Sequence, residues 1–436
     1  MISVAKIEPD HREPERRTWI LAVVAMTLVV ALGSWSGAGM GTARTDPAPA
    51  AATEKGETSK SELEEEREAL LALGYLSATR EATEGASVTK HDPAKAWKGL
   101  NFYTSGHGPE AVLMDMDGQE LHRWHLAATD AWPKWEAARA PTTRFWRRAH
   151  LFDNGDLLAI FEGAGMIKVD RDSKLIWKQP NRAHHDLQVL ENGDIWVLTR
   201  RVRGGKIVGS ERQILEDFAT LLDATGEQKM KVSILDAYRK SEFSEHWEER
   251  AAHGGDVMHT NSLELLDGSH QDLNPAFAKG NLLISMRNND TIAVVDPQAG
   301  EIVWSQQGDW RKQHDPHLLS GGTLLLFDNG GEAKRSRILE FTPGPTGLEP
   351  LWTYEDAGAE TFWSGSCGTA QRLPNGNTLV TESDNGRAFE LDTTGEIVWE
   401  FRNPERPEDK PNLVAAVFEN LRLPPDFPVD WVGPGE

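Results

Sequence analysis

The chain has 436 residues, 68 acidic against 46 basic side chains and a formal charge of −22, a balance that disfavours nucleic acid, whose phosphates need Lys/Arg neutralisation. The same charge works against long-range steering of anionic substrates, so an anion site here needs local positive charge. Cys367 is the only cysteine, which rules out an intrachain disulfide.

Residues 1–17 form a short basic N-terminal segment ending in Arg16 and Arg17. An apolar run, Trp19 to Leu32 (WILAVVAMTLVVAL), follows within a segment spanning 18–35. Its length lies between a signal-peptide core and a spanning helix, and the basic flank places the bulk of the chain on the far side of the membrane. The reading is a transmembrane signal anchor or a signal peptide, with small-residue cleavage sites after Ala38 and Ala43. The expectation is an exported, periplasmic or extracytoplasmic protein, held at the inner membrane by this segment if it is not cleaved. Residues 36–99 read as a linker, of which 36–60 has too little apolar surface to fold. Within it, 61–73 (SELEEEREALLAL) predicts a short stalk helix capped by Ser61, with Glu64 completing a capping box.

From residue 100 the pattern changes to short strands and turns. An Asp is followed seven or eight residues later by Trp at Asp117–Trp124, Asp170–Trp177, Asp296–Trp304 and Asp392–Trp399, with Met230 in the Trp place after Asp223 and a looser copy at 344–352. Interleaved with it is an apolar strand, a turn of the Asn-Gly kind and a second apolar strand, at 151–161, 187–198, 261–285, 318–327 and 372–381. Together they define a four-stranded unit of roughly 40–50 residues, the period of a propeller blade. The fold class is therefore all-β, a six-bladed β-propeller over 100–436, with 412–428 able to close the ring. The Trp repeat reads as blade-to-blade packing. Two insertions, 126–147 and the partly helical 234–258, break the rhythm, and propeller insertions gather on one face.

His185 and His314 each stand seven residues before a turn dipeptide, Asn192-Gly193 or Gly321-Gly322, in two copies of one strand pattern (HDLQVLENGDIWVL and HDPHLLSGGTLLLF). His259 starts the corresponding strand of the fourth unit. Three consecutive blades thus offer one imidazole each to the same mouth of the channel, and imidazole suits acid, base or nucleophile work near neutral pH. Arg287 ends the next strand of the fourth unit, where antiparallel pairing returns it towards His259. Strand alternation turns His184 away from His185, and His317 occupies a register that is polar in other copies, a structural position. Cys367 lacks an activating base in sequence and is a poor nucleophile.

The stretches HHD with its NG turn (184–193), HTNS with the later SMR (259–262, 285–287), and QHDPHLLSGGTLLLFDNG (313–330) resemble the bacterial aryl-sulfate sulfotransferases (arylsulfotransferase family). The blade at 375–401 is similar to the same family, and the resemblance spans roughly 100–428. It implies a six-bladed exported propeller in which His314 is the nucleophile and His185, His259 and Arg287 line the site. It also implies transfer of a sulfuryl group from an aryl sulfate to a phenol through a sulfohistidine, with no cofactor and no nucleotide donor. The chain carries no GxxxxGK[ST] phosphate loop. Two other readings stay open. One is a metalloenzyme with His185, His259 and His314 as ligands and His317 or Asp186 as a fourth. The other is a non-catalytic exported propeller that binds a ligand.

Overall fold

The computed structural model describes residue 78 and residues 80–82, 87–204, 212–245, 254–345, 347–355 and 361–433. The apolar segment 18–35 and the helix expected at 61–73 lie outside the described residues. Among the described residues, no helix is long and apolar enough to cross a membrane.

Six sheets, each with four antiparallel strands, follow one another along the chain, and Gly255–Asp256 adds a short parallel strand beside Ile214–Leu222 in the third. Blade 2 runs from Arg148–Leu151 to Leu175–Gln179, and blade 3 from Ala183–Val189 to Gln228–Ser233. Blade 4 runs from Thr260–Leu265 to Glu301–Gln307, and blade 5 from His314–Leu318 to Leu348–Tyr354. Blade 6 runs from Thr369–Arg372 to Ile397–Arg402. Blade 1 holds Leu100–Ser105, Glu110–Met114 and Glu120–His125, and its innermost strand is Val417–Leu423 from the far end of the chain. The ring is thus closed by backbone hydrogen bonds between the two ends of the domain, which removes an open edge.

Two expectations need correction. The segment read as linker contributes structure from residue 80: Arg80–Glu81 pairs with Leu413–Val414, and Ser87–His91 adds a fifth strand to the outer edge of blade 6. An otherwise bare edge strand, Ile397–Arg402, recruits this segment because its ladder groups would be left unpaired. The repeated Asp is the cap of the hairpin between the third and fourth strands. Asp170, Asp223 and Asp392 each accept two backbone N–H groups of their own turn at 2.8–3.1 Å. In blade 1 that role falls to Asp115, which accepts from Asp117 and Gln119 at 2.9 and 2.8 Å, so Trp124 stands two positions later than the spacing suggested.

The Trp residues do join blades. The indole N–H of Trp124 donates to the Gly155 carbonyl of blade 2 (3.0 Å), that of Trp177 to Ala224 of blade 3 (3.2 Å), and that of Trp399 to Met116 of blade 1 (2.8 Å). Trp124 and Trp399 are fully buried and Trp177 half-buried, and each hands its one donor to the neighbour's turn.

The channel itself is plugged by charge. Arg148 donates to Asp186 (2.8 Å), Asp315 (3.3 Å) and Glu419, so blades 2, 3, 5 and 1 meet at one guanidinium. Asp186 also accepts the Leu263 N–H of blade 4 (2.9 Å), and Asp315 that of Ala370 in blade 6 (3.4 Å). Every blade therefore reaches this cluster. Burial pushes the Glu419 carboxyl up to about 7, reinforced by Asp315 and Asp186 against the pull of Arg148.

Removing one partner from a buried charge cluster strands the rest, at a cost of about 3–5 kcal/mol. Arg148→Met should lose stability of that order in denaturant unfolding at pH 7. The variant's carboxylates would have their folded pKa values raised, so its folded state binds extra protons and gains stability as pH falls. The gap to wild type should therefore narrow between pH 7 and pH 5.

Candidate active site

The innermost strands of blades 3, 4 and 5 are all irregular at their starts. Register breaks fall between Ala183 and Leu187, between Thr260 and Ser262, and between His314 and His317. His185 (φ +56°), His259 (φ +55°) and Asp315 (φ +55°) lie in the left-handed region, which L-residues with a Cβ rarely adopt. Buried carboxylates hold the first two kinks. The His185 N–H donates to Glu162 of blade 2 (3.1 Å), and the Thr260 N–H donates to Asp217 of blade 3 (2.8 Å). Strained backbone fixed by the surrounding structure is typical of functional sites.

The kink corrects the expectation for His184. A left-handed residue breaks strand alternation, so His184 does not face away: its Nδ1 lies 2.7 Å from Nδ1 of His185, and both rings are buried. Across the blade boundary, His185 Nε2 lies 3.1 Å from His259 Nε2. His259 Nδ1 bonds the Asp256 carboxylate, three residues upstream.

His314 is built differently. Its Nδ1 lies 2.7 Å from Asn329 Oδ1 and 3.0 Å from the Lys312 carbonyl oxygen. The Asn329 amide is itself oriented, because its Nδ2 donates to the Ser364 and Cys367 carbonyls at 2.7 and 2.9 Å. Two acceptors facing Nδ1 assign the proton there, which leaves the lone pair on Nε2. Burial lowers the His314 pKa well below 6.5, and the charges of Arg287 and Arg147 add to this, so the ring is neutral at pH 7. His185 is likewise depressed, by burial and then by His259 and His184.

Arg287 stands beside His259, its backbone N–H bonded to the His259 carbonyl (3.1 Å). Its Nη1 donates to Asn288 Oδ1 (3.2 Å), while its Nε is buried with no hydrogen-bond partner among the described residues. It does not pair with Asp290, whose carboxylate accepts the Lys312 N–H at 2.7 Å. The four expected residues thus converge at the channel mouth. His317 stays in the plug below, 3.3 Å from Asp315 and 3.4 Å from Glu264. Against the effect of burial, those carboxylates raise its pKa well above 6.5, and an imidazolium has no lone pair for attack. Cys367 is buried, and its thiol is pushed up to about 11, which agrees with its reading as a poor nucleophile.

Sequence reasoning missed several residues. Arg147, buried at the end of the first insertion, sits with its guanidinium 5.2 Å from the Phe418 ring and depresses both His185 and His314. Its signal was an Arg pair opening an inner strand. Asn329 stands in the FDNG stretch that closes the motif around His314. Glu162, Arg200, Asp217 and Asp256 carried no spacing signal, because strands from different blades bring them in. The 126–147 insertion and the segment around 407–410 line a groove of about 900 Å³ on the mouth face.

Glu162, His184 and His185 bring potential metal-ligating atoms within 4.8 Å of one another. The 2.7 Å between the two Nδ1 atoms is shorter than the roughly 3.3 Å that tetrahedral ligands at about 2.0–2.1 Å would keep. It fits an N–H···N hydrogen bond. Arg200 already pairs with Glu162 at 3.2 Å. The residues present fit a hydrogen-bonded imidazole cluster better than a metal centre.

The site therefore belongs to a six-bladed propeller that presents imidazoles and guanidinium groups at one mouth. The profile of the arylsulfotransferase (ASST) family matches residues 148–404, more than half the chain and five of the six blades. The chain belongs to that family, and membership supports an aryl sulfotransferase activity on small aryl molecules. No curated protein matches the chain. Among solved structures, a protein of unknown function from Bacteroides caccae aligns with TM-score 0.48 at 12% identity, covering 73% of this chain and 98% of that one. The Cps50 (Swd1) β-propeller domain of Myceliophthora thermophila gives 0.45 at 12% identity, covering 74% and 91%. A streptogramin B lyase gives 0.42 at 13%, covering 79% and 96%.

For His314 to act as a nucleophile it must be deprotonated, and its lowered pKa would then put the acid limb of kcat/KM below pH 6.5. Arg287→Met removes one of the charges depressing His314. The acid limb should then move up towards 6.5 while activity falls by about 10²–10³. A pH profile of kcat/KM for an aryl sulfate checks both changes.

Proposed function

We propose that the protein moves a sulfuryl group from a phenolic sulfate ester to a phenolic acceptor through a sulfohistidine on His314. The observation that carries this reading is the tautomer of His314, held by Asn329 and Lys312 so that the proton is on Nδ1 and the lone pair on Nε2. In the first half-reaction Nε2 attacks sulfur and the bond from sulfur to the aryl oxygen breaks. The electron pair leaves on that oxygen, which takes a proton from the His185–His259 pair. In the second half, the acceptor phenol returns a proton to the pair and its oxygen attacks sulfur. The N–S bond then breaks and its electrons return to His314.

Arg287 supplies donors to the sulfuryl oxygens as negative charge spreads over them, and its buried Nε faces no competing acceptor among the described residues. No nucleotide enters this scheme. The basic flank and apolar run at 16–32 support export, with the propeller working in the periplasm or at the outer side of the inner membrane.

Incubation with a chromogenic aryl sulfate, with and without a phenol, separates transfer from hydrolysis, since transfer requires the acceptor. Donor-treated protein should gain an acid-labile sulfuryl mass on the peptide containing His314. His314→Asn should abolish both adduct and turnover with little change in melting temperature. His317→Asn should keep turnover, and an adduct on His317 instead would overturn the assignment.

A further inference from the structure

The mouth contains more imidazole than the transfer step uses. His184 touches neither His314 nor Arg287, yet it completes a continuous line of groups. From one end the line reads Asp217 Oδ1, 3.5 Å to His184 Nε2; His184 Nδ1, 2.7 Å to His185 Nδ1; His185 Nε2, 3.1 Å to His259 Nε2; and His259 Nδ1, bonded to Asp256. Three imidazoles stand in a row between two buried carboxyl groups; His185 and His259 use both ring nitrogens along it, while His184 Nε2 makes no hydrogen bond among the described residues and approaches Asp217 at 3.5 Å. The middle two contacts have hydrogen-bond length, and the outer contact at Asp217 is looser.

Resting on the reading of His314 as sulfuryl acceptor, we propose that this line is a proton relay. Asp217 and His184, which cannot reach substrate, act through His185 and His259 to lend a proton to the departing aryl oxygen and recover it from the acceptor phenol. At rest the line can be polarised in one direction: Asp217 O–H to His184, His184 Nδ1–H to His185, His185 Nε2–H to His259, and His259 Nδ1–H to ionised Asp256. Passing one proton along it leaves Asp217 ionised and His259 an imidazolium. That imidazolium protonates the phenolate through Nε2, the aryl oxygen replacing His185 as the partner of that N–H as the S–O bond breaks, and the relay is then one proton short. The acceptor's O–H proton refills it in the second half, so the complete cycle neither takes nor releases a proton.

The surroundings agree with this polarity. Burial and the Asp256 charge push the Asp217 carboxyl up to about 7, whereas against burial His259 keeps Asp256 ionised. Burial and Arg200 keep His184 neutral. The other charged groups facing the line are Glu162, which pairs with Arg200 at 3.2 Å, and Arg147 beside His185. The Thr199 backbone opposes the depression of the His184 pKa, as its smallest contribution.

The test exploits how much each leaving group needs a proton. A nitrophenolate leaves without one, while an alkylphenolate requires one. In Asp217→Asn and in His184→Asn, the ratio of kcat/KM for 4-nitrophenyl sulfate to that for an alkylphenyl sulfate should rise about 10-fold or more, the lower range of general-acid contributions. Asp217→Asn should also lose the pH dependence near 7 on the alkylphenyl substrate. An unchanged ratio in a folded variant, as judged by its melting curve, overturns the relay, because a purely structural role lowers both substrates alike. Wild-type protein supplies an independent measurement. In H2O/D2O mixtures, the rate on the alkylphenyl substrate should curve with deuterium fraction, since several protons move together, and a straight line would sink the proposal. Absence of any adduct on His314 in wild type would instead remove the sulfohistidine reading on which the relay rests.

Discussion

The buried guanidinium of Arg148 is the constraint on which the rest of the molecule depends. A propeller has no single core; each blade packs only on its neighbours, and the innermost strands meet around an axis with little apolar material to fill it. Here the axis is filled by one cation and three carboxyl groups from blades 1, 2, 3 and 5, with backbone N–H groups of blades 4 and 6 completing the shell. Such a cluster is weak as a net source of stability, because desolvation offsets much of its attraction. Its geometry is nevertheless demanding, and it fixes how far each inner strand projects towards the mouth.

Two of those carboxylates are the residues immediately after active-site histidines. In His185-Asp186 and His314-Asp315, the aspartate anchors the strand in the plug and the histidine is left at the rim. The left-handed kinks at His185 and Asp315 are where the chain changes direction between those two tasks. Strain of about 1–3 kcal/mol at each is held by the plug on one side and by Glu162 or Asn329 on the other. The position of His314 is thus set by ionic contacts on the channel side and by an oriented amide on the blade side.

The charge balance also resolves at this level. A chain of net charge −22 would repel a sulfate ester at long range, yet Arg147, Arg200 and Arg287 all gather at the mouth. Burial first, and then these cations, keep His184, His185 and His314 neutral, the state in which an imidazole can attack or relay. Local cations over an acidic body favour small anionic esters that diffuse in over extended nucleic acid, whose many phosphates would meet the acidic surface.

Much of this was legible in the sequence because it is periodic. Turn dipeptides, hairpin-capping aspartates and interblade tryptophans recur every 40–50 residues, and the recurrence determined the fold, the blade count and the shared register of His185 and His314. The motif around 313–330 held Asn329 as well as His314, but nothing in its pattern told which acceptor the imidazole would face. What the sequence did not determine is everything that depends on broken periodicity or on contacts between blades. The kink at His185 overturns the alternation that pointed His184 outward. Ser87–His91 joins blade 6 because a distant edge strand lacks a partner, not because its own pattern is strong. Asp217, Asp256, Glu162 and Arg147 meet the histidines only once the ring is closed. Periodicity is a local property written along the chain, whereas the proton-bearing geometry of the mouth is decided by which strands the closed ring places side by side.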